Sequence, residues 1–243
     1  LIGVSMTGVG SAAVLQLDMK EAANIVKAEN RRVAKIIGIN QAARTTCVKP
    51  AGTTSLVLGT SSGIHAWHNK YYIRRMRVGK NEPIYSYLSK NHPELIQDEY
   101  FRPHDTAVIE IPQAAPKGSI VRTESAFDLL ERVKKVATEW VATGHKTGSN
   151  THNVSATISL KEKDWEPAGE WMWKNRNTYN GLSVLPYDGG TYTQAPFEDI
   201  TKAKYDEMTK TLQEIDLTKV IEDTDNTDLS GELACAGGSC EIT

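Results

Sequence analysis

Residues 50–55, which read Pro-Ala-Gly-Thr-Thr-Ser, place a glycine and three hydroxyl side chains directly after Lys49. They stand between a predicted short strand at 45–48 and an apolar segment at 56–59 that begins like a helix. The first turn of a helix presents unpaired backbone N–H groups and a partial positive charge, and glycine lets the backbone approach an anion closely. The pattern therefore predicts a phosphate-binding loop made of Pro50, Ala51, Gly52, Thr53, Thr54 and Ser55.

This predicted loop has neither the spacing of a Walker A sequence nor that of a dinucleotide fingerprint. An ordinary capped helix is therefore the alternative interpretation of the same residues.

Cys235 and Cys240 form a second chemical signal, a C-x4-C pair close to the last residue. In a helix their Cα atoms would be about 8.6 Å apart, which exceeds the ~7 Å limit of a disulfide. Gly237 and Gly238 permit a turn that brings the two thiols together. Such a dithiol could carry electrons from an external reductant to a buried disulfide. Half of a zinc site and cysteines without a function are the alternatives, and the order in which the thiols react stays open.

The segment 216–243 that carries this pair has seven acidic residues, one lysine and no aromatic residue. A segment of this composition cannot bury enough apolar surface to fold alone. We therefore predict a flexible acidic redox tail over 216–243 and a folded body over 1–215.

Alternating strand and helix signals surround the loop and predict an α/β fold with a largely parallel sheet. One helix is predicted from its cap, Asp18, to a stop at Gly38. Another begins at the cap Ser125, with Asp128 as its capping-box partner. The first helix carries an apolar stripe that predicts its buried face: Ala22, Ile25, Val26, Val33, Ile36 and Ile37. Further strands are predicted at 71–78, 107–112 and 153–160, and further helices at 163–175 and from 199 onward.

Composition excludes several classes of protein. The formal net charge of −2 argues against a general nucleic-acid binder, and no apolar run is long enough to predict a membrane span. Three cysteines in 243 residues predict a reducing, cytoplasmic setting rather than a disulfide scaffold. The opening residues lack a secretory leader pattern and an initiator Met, so we expect residue 1 to be a cut within a longer chain.

Taken together, the loop and the cysteine pair resemble the large subunits of ribonucleotide reductases. Other segments are similar to the monomeric, adenosylcobalamin-dependent (class II) branch of that family, and the resemblance extends over nearly the whole chain. The segments that carry it are 49–55, 61–64, 72–75, 153–159, 181–187 and 194–197.

The resemblance implies a ten-stranded α/β barrel, of which residues 1–215 would be the C-terminal part. It also implies the conversion of ribonucleoside triphosphates to 2′-deoxyribonucleotides by thiyl-radical chemistry, with adenosylcobalamin as the cofactor. Cys235 and Cys240 would re-reduce the cysteine pair of the active site, and thioredoxin would re-reduce them. A deoxynucleotide effector would bind outside these residues, and the upstream remainder of the same enzyme would be the structural partner.

The sequence also departs from the family pattern. The Asn-Pro-Cys-Gly-Glu segment that carries the radical cysteine is absent from these residues, so we expect residues 1–243 alone to be inactive. The iron-dependent branch has adjacent tyrosines in a late strand, and 153–160 has none; the glycyl-radical branch needs a terminal glycyl motif. Two rival functions stay open: a nucleotide-binding module without a redox role, and a thiol-dependent interaction tail on a structural domain.

A few further residues could do chemistry or could simply pack. Arg74, Arg75 and Arg77 could face nucleotide phosphates or form a solvated face. His65 and His68 could form a metal pair, but a partly buried loop is the preferred interpretation.

Cys47 and the tryptophans of the helix at 163–175 are predicted to pack in the core. The tryptophans are Trp165, Trp171 and Trp173.

Overall fold

The computed structural model describes residues 1–148, 150–187, 189 and 192–222. The chain divides into two compact units, each built from two stretches of sequence. The first unit comprises Leu1–Trp67 and Pro116–Asp188, and the second comprises His68–Ala115 and Gly189–Thr243. Because residues from 223 onward lie outside the described part, the predicted boundary between a body at 1–215 and a tail at 216–243 stays a prediction.

The described residues form eight strands and six α-helices. The strands are β1 (Val4–Ser5), β2 (Thr46–Cys47), β3 (Tyr71–Gly79), β4 (Ile96–Asp98), β5 (Thr106–Ala114), β6 (Thr157–Leu160), β7 (Ser183–Pro186) and β8 (Phe197–Asp199). The helices are α1 (Met19–Ile37), α2 (Thr53–Val57), α3 (Pro83–Asn91), α4 (Ala126–Val136), α5 (Trp165–Lys174) and α6 (Lys202–Thr211).

The predicted caps of α1 and α4 are confirmed. The Asp18 carboxylate accepts the Glu21 N–H at 2.9 Å, and α1 ends at Gly38, whose φ of 73° is the left-handed value that glycine adopts without strain. Ser125 and Asp128 form a complete capping box at the start of α4. The last predicted helix starts later than expected, with Thr201 rather than Asp199 as its cap.

The predicted buried face of α1 is wrong in part. The helix buries Met19, Ala23 and Ala34, whereas Ile25 and Ile36 are about two-thirds exposed. The apolar stripe of α1 spans more of the helix surface than the rest of the first unit covers. The helix approaches its neighbours mainly through its small alanine side chains, which leaves the large isoleucines in solvent.

The tryptophans of α5 also depart from the predicted core packing. Trp165 and Trp173 are exposed, and the guanidinium of Arg176 lies 4.7 Å from the ring of Trp173. Trp171 is partly buried, stacks on Tyr179 and donates its indole N–H to a Glu131 oxygen at 2.6 Å.

The strands of the first unit are parallel. β1 pairs with β2, and β6 pairs with β7, both in parallel register. A single parallel bridge between Val48 and Val154 joins the chain after β2 to the chain before β6. The residues that the structure describes close no barrel, so a barrel needs strands beyond those of this unit.

The second unit contains an antiparallel sheet of four strands in the order β4-β5-β3-β8. The prediction of a largely parallel sheet is therefore wrong for this unit. Alternation of strands and helices indicates parallel pairing only when each helix crosses back over the sheet, and here β3 and β5 pair directly along nine residues each.

Each unit has its own apolar core. In the first unit, α4 and its π-helical continuation, Ala137–Val141, pack Leu130, Val133 and Trp140 against the apolar residues that flank the loop. In the second unit, residues from β3 and β5 pack against α3. No helix among the described residues is long and apolar enough to cross a membrane.

Candidate functional site

Strand β2, which leads into the predicted phosphate loop, is held by the π-helical segment that continues α4. The Thr46 hydroxyl donates to the Trp140 carbonyl at 2.8 Å, and the Trp140 indole N–H donates to the Cys47 carbonyl at 2.9 Å. A Cβ at Gly144 would collide with the Thr46 side chain, so glycine is required for this close approach. The loop therefore starts from a fixed strand.

The loop itself turns sharply at Gly52. This residue has φ 51° and ψ −130°, the mirror image of an extended conformation, which only glycine adopts readily. No described atom lies within 4 Å of the position that a Cβ would occupy there. The backbone at Gly52 is thus open to a ligand, and the five-residue helix α2 follows it.

The hydroxyl residues of the loop do not share one role. Ser55 is buried, and its hydroxyl donates to the Gly52 carbonyl at 2.6 Å, which stabilises the turn from inside. Thr54 is exposed and its backbone N–H donates to the Ala51 carbonyl at 3.1 Å. Lys49 and Pro50 are exposed at the start of the loop.

Residues 60–65, which we call the support segment, pack against the loop and bind its backbone. The Ser62 hydroxyl oxygen accepts the N–H groups of Ala51 at 3.0 Å and Gly52 at 3.3 Å. A Cβ at Gly63 would come within 2.8 Å of the Lys49 carbonyl oxygen. The support segment therefore lies directly against the loop and fixes two of its amides.

The glycine-rich residues 5–11 fasten the support segment in turn. Thr7 donates its hydroxyl to the Ser61 carbonyl at 3.1 Å and accepts the Gly63 N–H at 2.9 Å. The Ser5 hydroxyl oxygen accepts the Lys49 N–H at 3.0 Å. Two stretches that are separated by about fifty residues in the sequence thus form one structure around the loop.

A buried ion pair fixes the far end of the support segment. Arg132 of α4 makes a bidentate pair with Glu124, with both distances 2.6 Å, and its Nε donates to the Ile64 carbonyl at 3.2 Å. Charge-assisted, two-point bonds of this kind set the orientation of the groups they join. The same guanidinium lies close enough to His65 to disfavour a positive charge on that ring.

His65 ties the support segment to β6. Its Nε2 accepts the Thr157 N–H at 3.1 Å, so the ring is neutral and carries its proton on Nδ1. Burial lowers the pKa of His65 below its ordinary value, Arg132 lowers it further, and the Ser62 carbonyl opposes the shift.

Cys47 packs as predicted. The residue is buried, and a Cβ at Gly3 would lie 3.2 Å from its Sγ. Burial raises the pKa of the Cys47 thiol above its ordinary value, while Ser5 and Lys49 act in the opposite direction. A thiol of raised pKa is a poor nucleophile at neutral pH.

Two of the three arginines of β3 pair with carboxylates, and the third lies on an aromatic ring. Arg75 is buried and pairs with Glu110 directly across the sheet and with Glu198, both at 2.5 Å. Arg77 lies 3.4 Å from Glu99, and the Arg74 guanidinium lies over the ring of Phe197. Arg75 thus serves the sheet of the second unit and neither predicted role describes it, whereas Arg77 is exposed, as the predicted solvated face requires.

The two histidines do not form the metal pair that their spacing allowed. His65 belongs to the first unit, where it bonds Thr157, whereas the His68 Nε2 lies 2.8 Å from the Asp199 carboxylate in the second unit. Cys235 and Cys240 lie outside the described residues, so their role stays a prediction.

Sequence reasoning missed most of the residues that shape the loop. Ser62 and Gly63 stand in a segment that carried the resemblance, but nothing in the sequence assigned them these contacts. Thr7 and Arg132 carry no local signal for these roles, because the support-segment residues that they bind, Ser61 and Ile64, lie more than fifty residues away.

Removing the Ser62 hydroxyl tests this arrangement. Ser62→Ala is expected to lower the free energy of unfolding by about 1–3 kcal/mol, because two partly buried N–H groups lose their acceptor. Hydrogen exchange at Ala51 and Gly52 should accelerate in parallel. Ser89→Ala, which removes an exposed hydroxyl from α3, is the matched control. Unchanged exchange at both amides would contradict the role of Ser62.

Comparison with known proteins shows one consistent similarity. The chain is 29% identical over 210 residues to the adenosylcobalamin-dependent ribonucleoside-triphosphate reductase of Lactobacillus acidophilus. The matched region covers 85% of this chain and 27% of that protein. Its identity to the enzyme of the same name from Euglena gracilis is 28% over 229 residues, or 88% of this chain and 29% of that protein. The Lactobacillus leichmannii enzyme is 27% identical over 227 residues, 90% of this chain and 29% of that protein.

The fold shows the same similarity. A crystal structure of a B-12 dependent (class II) ribonucleotide reductase superimposes with a TM-score of 0.69 and 22% identity, covering 86% of this chain and 32% of that one. No protein-family model matches the chain. The chain spans less than a third of the length of the curated relatives that it matches.

Proposed function

Because this chain is homologous to the adenosylcobalamin-dependent, class II ribonucleotide reductases, we propose that it forms the C-terminal portion of such an enzyme. The enzyme would reduce ribonucleoside triphosphates to 2′-deoxyribonucleotides by thiyl-radical chemistry. The observation that carries this proposal is the extent of the similarity, which covers 85–90% of the chain.

We assign the loop at 50–55 to the phosphate groups of the substrate. The open backbone at Gly52 and the exposed Thr54 support this assignment. Ser62, bonded to the Ala51 and Gly52 amides, sets the shape of the loop before a ligand arrives. A site that is already shaped loses less entropy when it binds, and the nearby charge of Lys49 favours an anion.

We assign Cys235 and Cys240 to the transfer of electrons. In this step the two tail thiols exchange with a disulfide in the active site, which becomes two thiols, while the tail becomes a disulfide. Two electrons and two protons move together. Thioredoxin then reduces the tail disulfide by the same exchange, so that thiols and disulfides balance over one cycle.

Adenosylcobalamin, on which the named relatives depend, would supply the radical that starts the reaction. We assign none of the described residues to this cofactor, because the three side chains that shape the loop already have hydrogen-bond partners. Thr7, Ser62 and Arg132 all have partners within the first unit. The part of this chain in the reaction is therefore to bind the substrate phosphates and to renew the active-site thiols.

The upstream remainder of the enzyme would cover surfaces that are apolar and exposed here. Ile25 and Ile36 of α1 and Val57 of α2 are exposed by 62–86%, and apolar side chains of this size favour burial. The parallel strands of the first unit would then be part of the ten-stranded barrel, with 216–243 as its redox tail. Without the segment that carries the radical cysteine, the chain alone would be inactive.

Replacing a loop hydroxyl in the full-length enzyme tests the proposal. Thr54→Val keeps the shape of the side chain and removes its hydrogen-bond donor, so we expect the KM for ribonucleoside triphosphate to rise on the order of tenfold. Thr211→Val, which changes another exposed threonine, at the end of α6, should leave the KM unchanged. An unaltered affinity of the Thr54→Val enzyme for the nucleotide would count against the loop as the phosphate site.

A further inference from the structure

The structure assigns to His65 the role of a positioning residue that holds the phosphate loop in its binding shape. This inference rests on the proposed function of the loop and goes beyond it, because it names a residue outside the loop and the route by which that residue acts.

The route consists of four hydrogen bonds. The Ala51 and Gly52 amides donate to the Ser62 hydroxyl oxygen. The Ser62 carbonyl accepts the His65 N–H at 3.0 Å, which closes a turn. The His65 Nε2 accepts the Thr157 N–H at 3.1 Å and so anchors that turn to the first residue of β6.

The packing around this turn makes the anchor effective. A Cβ at Gly10 would collide with the His65 carbonyl oxygen, so backbone lies directly against that residue. The Val9 N–H donates to the Gly63 carbonyl at 3.1 Å on the same side. Because densely packed segments move together rather than deform, a displaced His65 ring displaces the turn and the two amides that the turn holds.

The bond to Thr157 exists only while the imidazole is neutral, because a protonated ring has no acceptor nitrogen. Arg132 of α4 is the charged group that acts on the ring, and Glu124 is bound to that arginine. A second positive charge here is unfavourable, which agrees with the lowered pKa of His65. As the pH falls below the ordinary value of 6.5 and reaches that lowered pKa, the ring gains a proton and the anchor is lost.

Two variants separate this role from simple packing. His65→Ala removes the acceptor and leaves the Thr157 N–H unpaired, so we expect the affinity of the full-length enzyme for ATP to fall on the order of tenfold. His65→Gln offers an amide oxygen that can accept the same N–H and cannot be protonated, so it should restore affinity to within about twofold. His104→Gln changes an exposed histidine of the second unit and is the control.

A pH titration followed by NMR supplies a readout that does not need a nucleotide. In the wild-type chain, the Ala51 and Gly52 amide resonances should shift with the same midpoint as the His65 ring, below pH 6.5. In His65→Gln both resonances should stay constant over that range, whereas His104→Gln should behave like the wild type.

The outcomes are distinguishable. The positioning role would be overturned if the Ala51 and Gly52 amide shifts did not change when the His65 ring is protonated. Equal ATP affinities of the wild type, His65→Ala and His65→Gln would also overturn it. If ATP fails to bind the wild-type enzyme, the phosphate assignment of the loop is wrong. The titration still decides in that case whether His65 controls the shape of the loop.

Discussion

Replacing both tail cysteines, Cys235→Ser and Cys240→Ser, in the full-length enzyme is expected to lower turnover supported by thioredoxin on the order of 100-fold or more. A protein reductant reaches a buried disulfide only through an intermediate carrier, and serine hydroxyls cannot exchange with a disulfide. A small dithiol such as dithiothreitol can diffuse to the active site itself. Turnover with dithiothreitol should therefore persist in the doubly substituted enzyme.

The comparison between the two reductants makes this result specific. Ser239→Ala, which changes the tail between the two cysteines and leaves both thiols in place, should retain full turnover with thioredoxin. Single substitutions then report the order of reaction, because the tail thiol that attacks the active-site disulfide stays in a mixed disulfide with it, and releases the other active-site thiol, when the second tail thiol is missing. Undiminished turnover of the double variant with thioredoxin would remove the electron-carrier role and favour a nucleotide-binding module without redox chemistry.

Gly52→Ala is expected to weaken binding of ATP by the full-length enzyme on the order of 10- to 100-fold. Two effects act together. The φ of 51° and ψ of −130° at Gly52 are strained for any residue with a Cβ, by about 1–3 kcal/mol. The added methyl group also occupies the open space through which an anion would approach the backbone.

Gly118→Ala is the matched control for this substitution. Gly118 belongs to the same unit, also has a positive φ, of 84°, and also has no described atom within 4 Å of a Cβ position. The Gly118→Ala enzyme should lose about as much stability as the Gly52→Ala enzyme and keep the wild-type affinity for ATP, as measured by calorimetry. If the Gly52→Ala enzyme binds ATP as tightly as the Gly118→Ala enzyme does, Gly52 does not line the phosphate site.

Local signals in the sequence predicted local structure well. Asp18, Gly38, Ser125 and Asp128 mark helix ends in the structure as they do in the sequence, because a cap is a bond between residues three or four positions apart. The α/β character and the similarity to class II reductases were also readable from short segments. By contrast, α3 and β4 of the second unit carried no signal strong enough to predict them.

Burial was predicted less well, since periodicity shows that a helix has an apolar side but not how much of that side is covered. Ile25 and Ile36 continue the stripe of α1 and are nevertheless exposed. The pairing of strands failed for a related reason. Alternating strands and helices are compatible with parallel and antiparallel sheets, and only the tertiary path of the chain places β3 beside β5.

The candidate site shows the same difference between what local patterns predict and what long-range contacts decide. The sequence alone determined where the proposed phosphate loop lies and which residue types it offers, because a glycine followed by hydroxyl residues at a helix start is a local pattern. Only the tertiary structure decided that Ser55 bonds inward, that Ser62 holds the loop amides and that His65 anchors the turn to β6. The bond from His65 to Thr157 joins residues ninety-two positions apart, and contacts at such distances form only when the chain has folded and packed.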